Sequence, residues 1–208
     1  TALTDELRSE LPFALTRSQE SSLEEILSDM AGPAPMLRLL QGDVGCGKTV
    51  VAAMALLAAV GAGHQGAFMA PTEVLATQHH RVLTDLLSQM GDPPKVALLT
   101  GSTKTAERAQ ILEELNAGKI GIIVGTHALI HEKVVFNSLG ISVVDEQHRF
   151  GVEQRAALLS KGKLPPHMLT MSATPIPRTL AMTKFGEMAL SVIDEKPAGR
   201  LPIITTVC

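Results

Sequence analysis

Aromatic side chains are almost missing from this chain. It has no Trp, no Tyr and five Phe among 208 residues. Yet 45% of the residues are apolar, enough for one large globular domain with a full core. That core must be built from Leu, Ile, Val, Ala and Met. Cysteine is scarce as well. Cys46 and Cys208 are the only two, which excludes a disulfide framework and fits a reducing, cytoplasmic setting. The net charge of −3 gives no global nucleic-acid footprint, so any contact with DNA must rest on a local patch. The longest apolar stretch, Val50 to Gly63, is too short to span a bilayer, and no membrane partner is expected. The polar start, Thr1 to Arg8, lacks the apolar run of a signal peptide.

What is present is a phosphate-binding loop. Residues 42 to 49 read Gly42-Asp43-Val44-Gly45-Cys46-Gly47-Lys48-Thr49, which satisfies G-x-x-x-x-G-K-[ST] at Gly42, Gly47, Lys48 and Thr49. An apolar run, Met36 to Leu40, leads in as a buried strand. A helical stretch, Lys48 to Ala62, leads out. Glycines let the backbone curl so that successive N–H groups point at one phosphate. The helix start adds partial positive charge. In that setting Lys48 reaches the β- and γ-phosphates of a nucleotide, and the Thr49 hydroxyl binds Mg²⁺. The alternative, a chance Gly-rich turn, does not account for a strand before and a helix after.

Strands and helices alternate along the rest. Helices are expected at 16–30, 73–90 and 105–115, and strands at 66–70, 96–99, 120–124, 141–144, 168–171 and 190–193. Gly32 to Pro35 and Gly91 to Pro94 break the pattern. The implied fold class is α/β, a parallel sheet flanked by helices on both faces. Ligands of such sheets sit beyond the C-terminal ends of the strands. Residues 1–15 read as a lead-in to a single domain covering 1–208.

The strand Ile141 to Val144 runs into Asp145-Glu146-Gln147-His148. A carboxylate at a strand end beside a phosphate loop can hold Mg²⁺, which suits Asp145, with Glu146 placed to orient or deprotonate water. The alternative is an acidic loop that caps a strand. His148 reads either as a relay to another site or as a merely hydrogen-bonded side chain. Ser172, Ala173 and Thr174 follow another apolar strand. Ser172 and Thr174 either bond Asp145 or His148 and sense the nucleotide, or form a simple Ser/Thr turn before Pro175 and Pro177.

Taken in order, these segments resemble the motifs of superfamily-2 helicases and translocases. Gly42 to Thr49 is similar to motif I, Asp145 to His148 to motif II of the DExH type, and Ser172-Ala173-Thr174 to motif III. Ala70-Pro71-Thr72-Glu73 resembles motif Ia, and Gly125 to Ile130 resembles motif Ic. Thr16-Arg17-Ser18-Gln19, with Phe13 upstream, resembles the Q motif that reads adenine. Asp145 to Val152 and Ala173 to Thr183 look like the RecG family of branched-DNA helicases, as does Ser191 to Arg200. The transcription-repair coupling translocases share much of this pattern but usually carry Glu where Gln147 stands. The resemblance implies a RecA-like domain that uses ATP and Mg²⁺. Lys48, Asp145 and Glu146 would be catalytic, and Thr49 and Asp145 would bind metal. Phe13, Arg17 and Gln19 would contact adenine. Pro71, Thr72, Gly125, Thr126 and His127 would lie along the DNA backbone. Gln147, His148, Ser172, Ala173 and Thr174 would couple the two sites. The implied partners are branched DNA, such as forks and Holliday junctions, with a second RecA-like domain and a wedge domain in the same parent chain.

Three further expectations follow. The chain does not start with Met and ends in an extended run, Pro202 to Cys208, so it reads as a piece of something longer. The motif that supplies an arginine finger from a second RecA-like domain is not found here; Arg178 belongs to the motif III segment. The piece alone should bind nucleotide and hydrolyse it slowly or not at all. A degenerate, non-hydrolysing nucleotide-binding module is the competing description, but Lys48, Asp145 and Glu146 are all present. Cys46 stands where the RecG family more often has Ser. It reads as a sterically tolerated replacement with no redox role; the competing hypothesis is a thiol made reactive by the nearby helix start, with bound nucleotide protecting it.

Overall fold

The computed structural model describes residues 1–145, 157–162, 164–174 and 188–195. It contains the expected parallel sheet. Seven strands, β1 (Leu37–Gly42), β2 (Gln65–Met69), β3 (Val96–Leu99), β4 (Ile122–Gly125), β5 (Leu139–Asp145), β6 (His167–Ser172) and β7 (Ala189–Ile193), lie in the order β3-β4-β2-β5-β6-β1-β7. Every described pairing is parallel. All C-terminal strand ends therefore share one edge. The helices are α1 (Ala2–Glu10), α2 (Arg17–Met30), α3 (Lys48–Gly61), α4 (Glu73–Leu87) and α5 (Thr105–Asn116).

Helix α3 is apolar around its whole circumference, and Val51 to Leu57 are fully buried. A helix without a polar face must be enclosed by other elements. Here α1 and α2 cover it on one side while β1, β2 and β5 receive it on the other. The many alanines keep it thin enough for that enclosure. One face of the sheet joins Leu40, Phe68, Val143 and Leu169 to residues of α1 through α4. The opposite face joins Ala67, Leu99 and Ile123 to Ile111 and Leu115 of α5 and to Leu129. Helices thus lie on both faces, as the alternation of elements implied.

Two details correct the sequence reading. The lead-in contains a helix, α1, whose Leu7 is completely buried and whose start is fastened by Thr4 Oγ1 donating to the Thr1 carbonyl at 2.6 Å. Its nine residues are too few for periodicity to declare it, and packing on α3 makes it stable. Helix α4 stops at Leu87, three residues short of the expected end.

The buried Arg38 of β1 pairs with two partly exposed carboxylates of α2, at 2.8 Å from Glu25 and from Asp29. This fixes α2, and with it the Thr16 to Gln19 segment, against the strand that feeds the loop. Gly66 marks a close approach, because a Cβ there would overlap Leu56 of α3. Gly66→Ala should cost about 1–3 kcal/mol by overpacking, and Leu56→Ala about 2–5 kcal/mol by leaving a cavity. Urea denaturation of the double variant should give less than the sum of the two. Strict additivity would show that the two residues do not meet.

Candidate active site

Gly42 ends β1 and opens the loop. A Cβ there would stand 2.5 Å from Cys46 Sγ and 2.8 Å from the Ile193 carbonyl oxygen, so β7 and the loop close together only around glycine. Gly45 and Gly47 hold φ of 79° and 91°, a left-handed conformation that glycine adopts without penalty. Helix α3 then starts at Lys48. The Lys48 ammonium donates to the carbonyls of Gly42 at 2.6 Å and Asp43 at 3.0 Å. Phosphate oxygens are stronger acceptors than these carbonyls and can draw it away. Thr49 is half-buried beside it, while Asp43, Val44 and Gly45 form the exposed crown.

Gln19 is 1% exposed. Its side-chain oxygen accepts from the Thr16 amide at 2.8 Å, closing a capping box at the start of α2. Its Nε2 donates to the Cys46 carbonyl at 2.7 Å. Gln19 therefore braces the loop from behind, against Gly47, where a Cβ would overlap its amide. Arg17 and Phe13 are exposed nearby in sequence. Cys46 is 1% exposed. That burial favours the tolerated replacement over the reactive thiol, since reagents need access to the sulfur.

Asp145 ends β5, and its Oδ2 lies 2.8 Å from His79 Nε2. No Lys or Arg pairs with Asp145 among the described residues. A largely buried carboxylate that lacks a cationic side-chain partner is suited to a divalent cation, and a carboxylate plus the Thr49 hydroxyl is the hard-oxygen donor set that Mg²⁺ prefers. Glu146, Gln147 and His148 lie outside the described residues, as do Arg178 and the tail from Lys196. Of the two readings for Ser172 and Thr174, the described bonds are those of the turn. Their hydroxyls bond each other at 3.0 Å, and the Thr174 amide donates to Ser172 Oγ at 3.2 Å. They form a Ser/Thr turn, with Ala173 between them, and the described partner of Asp145 is His79.

The five positions expected along DNA separate into two groups. Thr72 and His127 are exposed and Pro71 half-exposed, whereas Gly125 and Thr126 are buried. Gly125 has no room for a Cβ beside Leu129, 2.8 Å from its Cγ. Thr126 Oγ1 accepts from the Ala128 amide at the start of a short 3₁₀ turn, His127–Ile130. These two shape the loop that presents His127. Two features escaped the sequence reading. Glu73 accepts from the amide and hydroxyl of Ser102, at 3.1 and 2.7 Å, tying the start of α4 to the loop after β3; the Ser102 hydroxyl bond holds the Glu73 carboxyl below its ordinary pKa. The other is His79. Its signal was its place on the buried face of α4, three residues after Ala76 and four before Leu83.

Gln19→Glu keeps the acceptor for Thr16 and turns a second acceptor toward the Cys46 carbonyl. An unsatisfied contact of this kind costs about 1–3 kcal/mol. Nucleotide affinity, read by calorimetry, should fall roughly tenfold, and unchanged affinity would remove Gln19 from the loop's support.

The chain resembles known proteins over nearly its whole length. Residues 16–183 match the family described as DEAD/DEAH box helicase. The ATP-dependent DNA helicase RecG of Synechocystis sp. is 57% identical over 197 residues, 95% of this chain and 23% of that protein. RecG of Bacillus subtilis is 57% identical over 195 residues, 94% of this chain and 28% of that protein. The chain thus spans about a quarter of the length of the curated relatives it matches. A solved structure of RecG bound to a three-way DNA junction superposes with a TM-score of 0.84 at 45% identity, over 97% of this chain and 27% of that one. The helicase MrfA bound to DNA and AMPPNP, at 18% identity and a TM-score of 0.71 over 95% of this chain and 29% of that one, shares the fold. The resemblance to RecG read from the motifs is borne out, and the chain belongs to the DEAD/DEAH box helicase family.

Proposed function

We propose that residues 1–208 form the first of two RecA-like motor domains of a RecG-type, ATP-dependent DNA helicase. The enzyme would unwind branched DNA, reverse stalled forks and migrate Holliday junctions in repair and recombination, in the cytoplasm. The observation that carries this reading is the meeting of Gly42 to Thr49, Asp145 and Ser172 on the carboxyl ends of the adjacent strands β1, β5 and β6.

The loop amides and Lys48 would hold the triphosphate of ATP, with Lys48 leaving the carbonyls of Gly42 and Asp43. Thr49 and Asp145 would hold Mg²⁺, which when bound neutralises charge on the phosphate oxygens. Glu146 would take a proton from the attacking water. Arg17 and Phe13 would border the adenine from the exposed side, while Gln19, engaged with Thr16 and Cys46, would support the loop from behind rather than meet the base. Gln147, His148 and the Ser172–Thr174 turn would pass the nucleotide state toward DNA. Pro71, Thr72 and His127 would meet the DNA backbone; a hydroxyl and a helix start suit phosphate contacts that ignore base identity. The RecG structure solved on a three-way junction supports branched DNA as the partner. A second RecA-like domain would add an arginine finger, and a wedge domain would engage the junction.

ATP hydrolysis by the 208 residues alone should be slower than by the native-length protein on forked DNA by about 10³–10⁵, the usual effect of an arginine finger. Glu146→Gln should silence the native-length enzyme while leaving nucleotide bound. Rapid, DNA-independent turnover by the 208 residues would contradict the two-domain mechanism.

A further inference from the structure

We infer that His79 is a positioning residue for the metal-binding carboxylate, a link between α4 and the nucleotide site. The inference rests on the reading of Asp145 as an Mg²⁺ ligand. An ionised carboxylate can only accept, so at 2.8 Å the Nε2 of His79 must carry the proton and donate. The bond engages Asp145 Oδ2, and among the described residues no hydrogen bond engages Oδ1, the oxygen that would meet a cation. Both side chains are mostly enclosed, at 13% and 12% exposure, so solvent competes weakly for this bond.

The imidazole is itself held. It packs on the ring of Phe68, centroids 4.4 Å apart and planes tilted by 39°. Phe68 is fully buried in β2, whose register puts it opposite Val143 of β5. Asp145 lies two residues further along β5, on the same face. The chain of contact therefore runs from β2 through the imidazole to the end of β5. At its other end His79 belongs to α4, seven residues beyond the N-cap Thr72, about 10 Å along the axis at 1.5 Å per residue. A shift of α4, whose start carries Pro71 and Thr72, cannot occur without moving the donor that orients Asp145. Hydrogen-bonding partners that orient metal ligands in this way typically change metal affinity about 10–100-fold when removed.

The length of the side chain gives the test. A Gln amide nitrogen reaches the position of His Nε2, whereas an Asn amide nitrogen reaches only that of Nδ1. His79→Gln and His79→Asn should be made in the native-length protein beside Asp145→Asn. Binding of a fluorescent, non-hydrolysable ATP analogue is then followed as Mg²⁺ is titrated, and again in EDTA. His79→Asn should raise the half-saturating Mg²⁺ concentration about tenfold, and His79→Gln by less than about threefold. Binding in EDTA should stay unchanged in both. Thermal melting checks the fold. If His79→Asn does not fold, His79→Phe keeps the ring contact with Phe68, has no donor, and should behave as expected for Asn. Equal shifts with Gln and with the donor-less variant, or no shift in either, would overturn the role of His79. If Asp145→Asn leaves the Mg²⁺ dependence intact, the assignment of Asp145 as metal ligand fails first, and this inference with it.

Discussion

Helix α3 has no face for water, and most of the architecture answers that constraint. Val51 to Leu57 are completely buried, so the helix must be roofed by α1 and α2 while it lies on the sheet. Its first residue, Lys48, is also the lysine of the phosphate loop. Enclosing the helix therefore fixes the direction of the helix start, and with it the region where partial positive charge meets a phosphate. Burial of apolar surface supplies the energy, at about 25 cal/mol per Å². The loop inherits its position from that burial.

Polar hydrogen bonds also tie flanking elements to the carboxyl edge of the sheet. Gln19 braces the loop through the Cys46 carbonyl. His79 joins α4 to Asp145. Glu73 joins the start of α4 to Ser102 after β3. The Gln19 bond, between neutral groups, contributes about 0.5–1.5 kcal/mol, and the largely buried His79 bond to a carboxylate about 1.5–3 kcal/mol. Individually these are small beside the core. They matter because they connect segments that different ligands would touch, so that a displacement at one end has a physical route to the other.

Much of this was legible from residues alone. The parallel sheet, the helices on both faces and the loop at the end of β1 followed from periodicity and from four fixed positions within eight consecutive residues. Local signals sufficed there because β-branched runs, glycines and caps act within a few positions. The rest depended on distance in space. Gln19 and Cys46 are 27 residues apart, and His79 and Asp145 are 66 apart; no spacing rule connects such pairs. Helix α1 was missed because it is short and draws its stability from packing on α3. Gly125 and Thr126 were read from a motif, but their burial appears only once β3, β4 and Leu129 are assembled. The Ser172–Thr174 turn was visible as an alternative, and the choice between a turn and a bond to Asp145 needed coordinates.

The most direct measurement is calorimetric titration of the protein with ATP in Mg²⁺, for the native sequence and for Lys48→Ala. The loop geometry, with Lys48 folded onto the carbonyls of Gly42 and Asp43, places this one ammonium where the phosphates would bind. Saturable one-to-one binding that is lost in Lys48→Ala is the expected result. Binding of equal strength in Lys48→Ala would contradict a nucleotide site built on this loop.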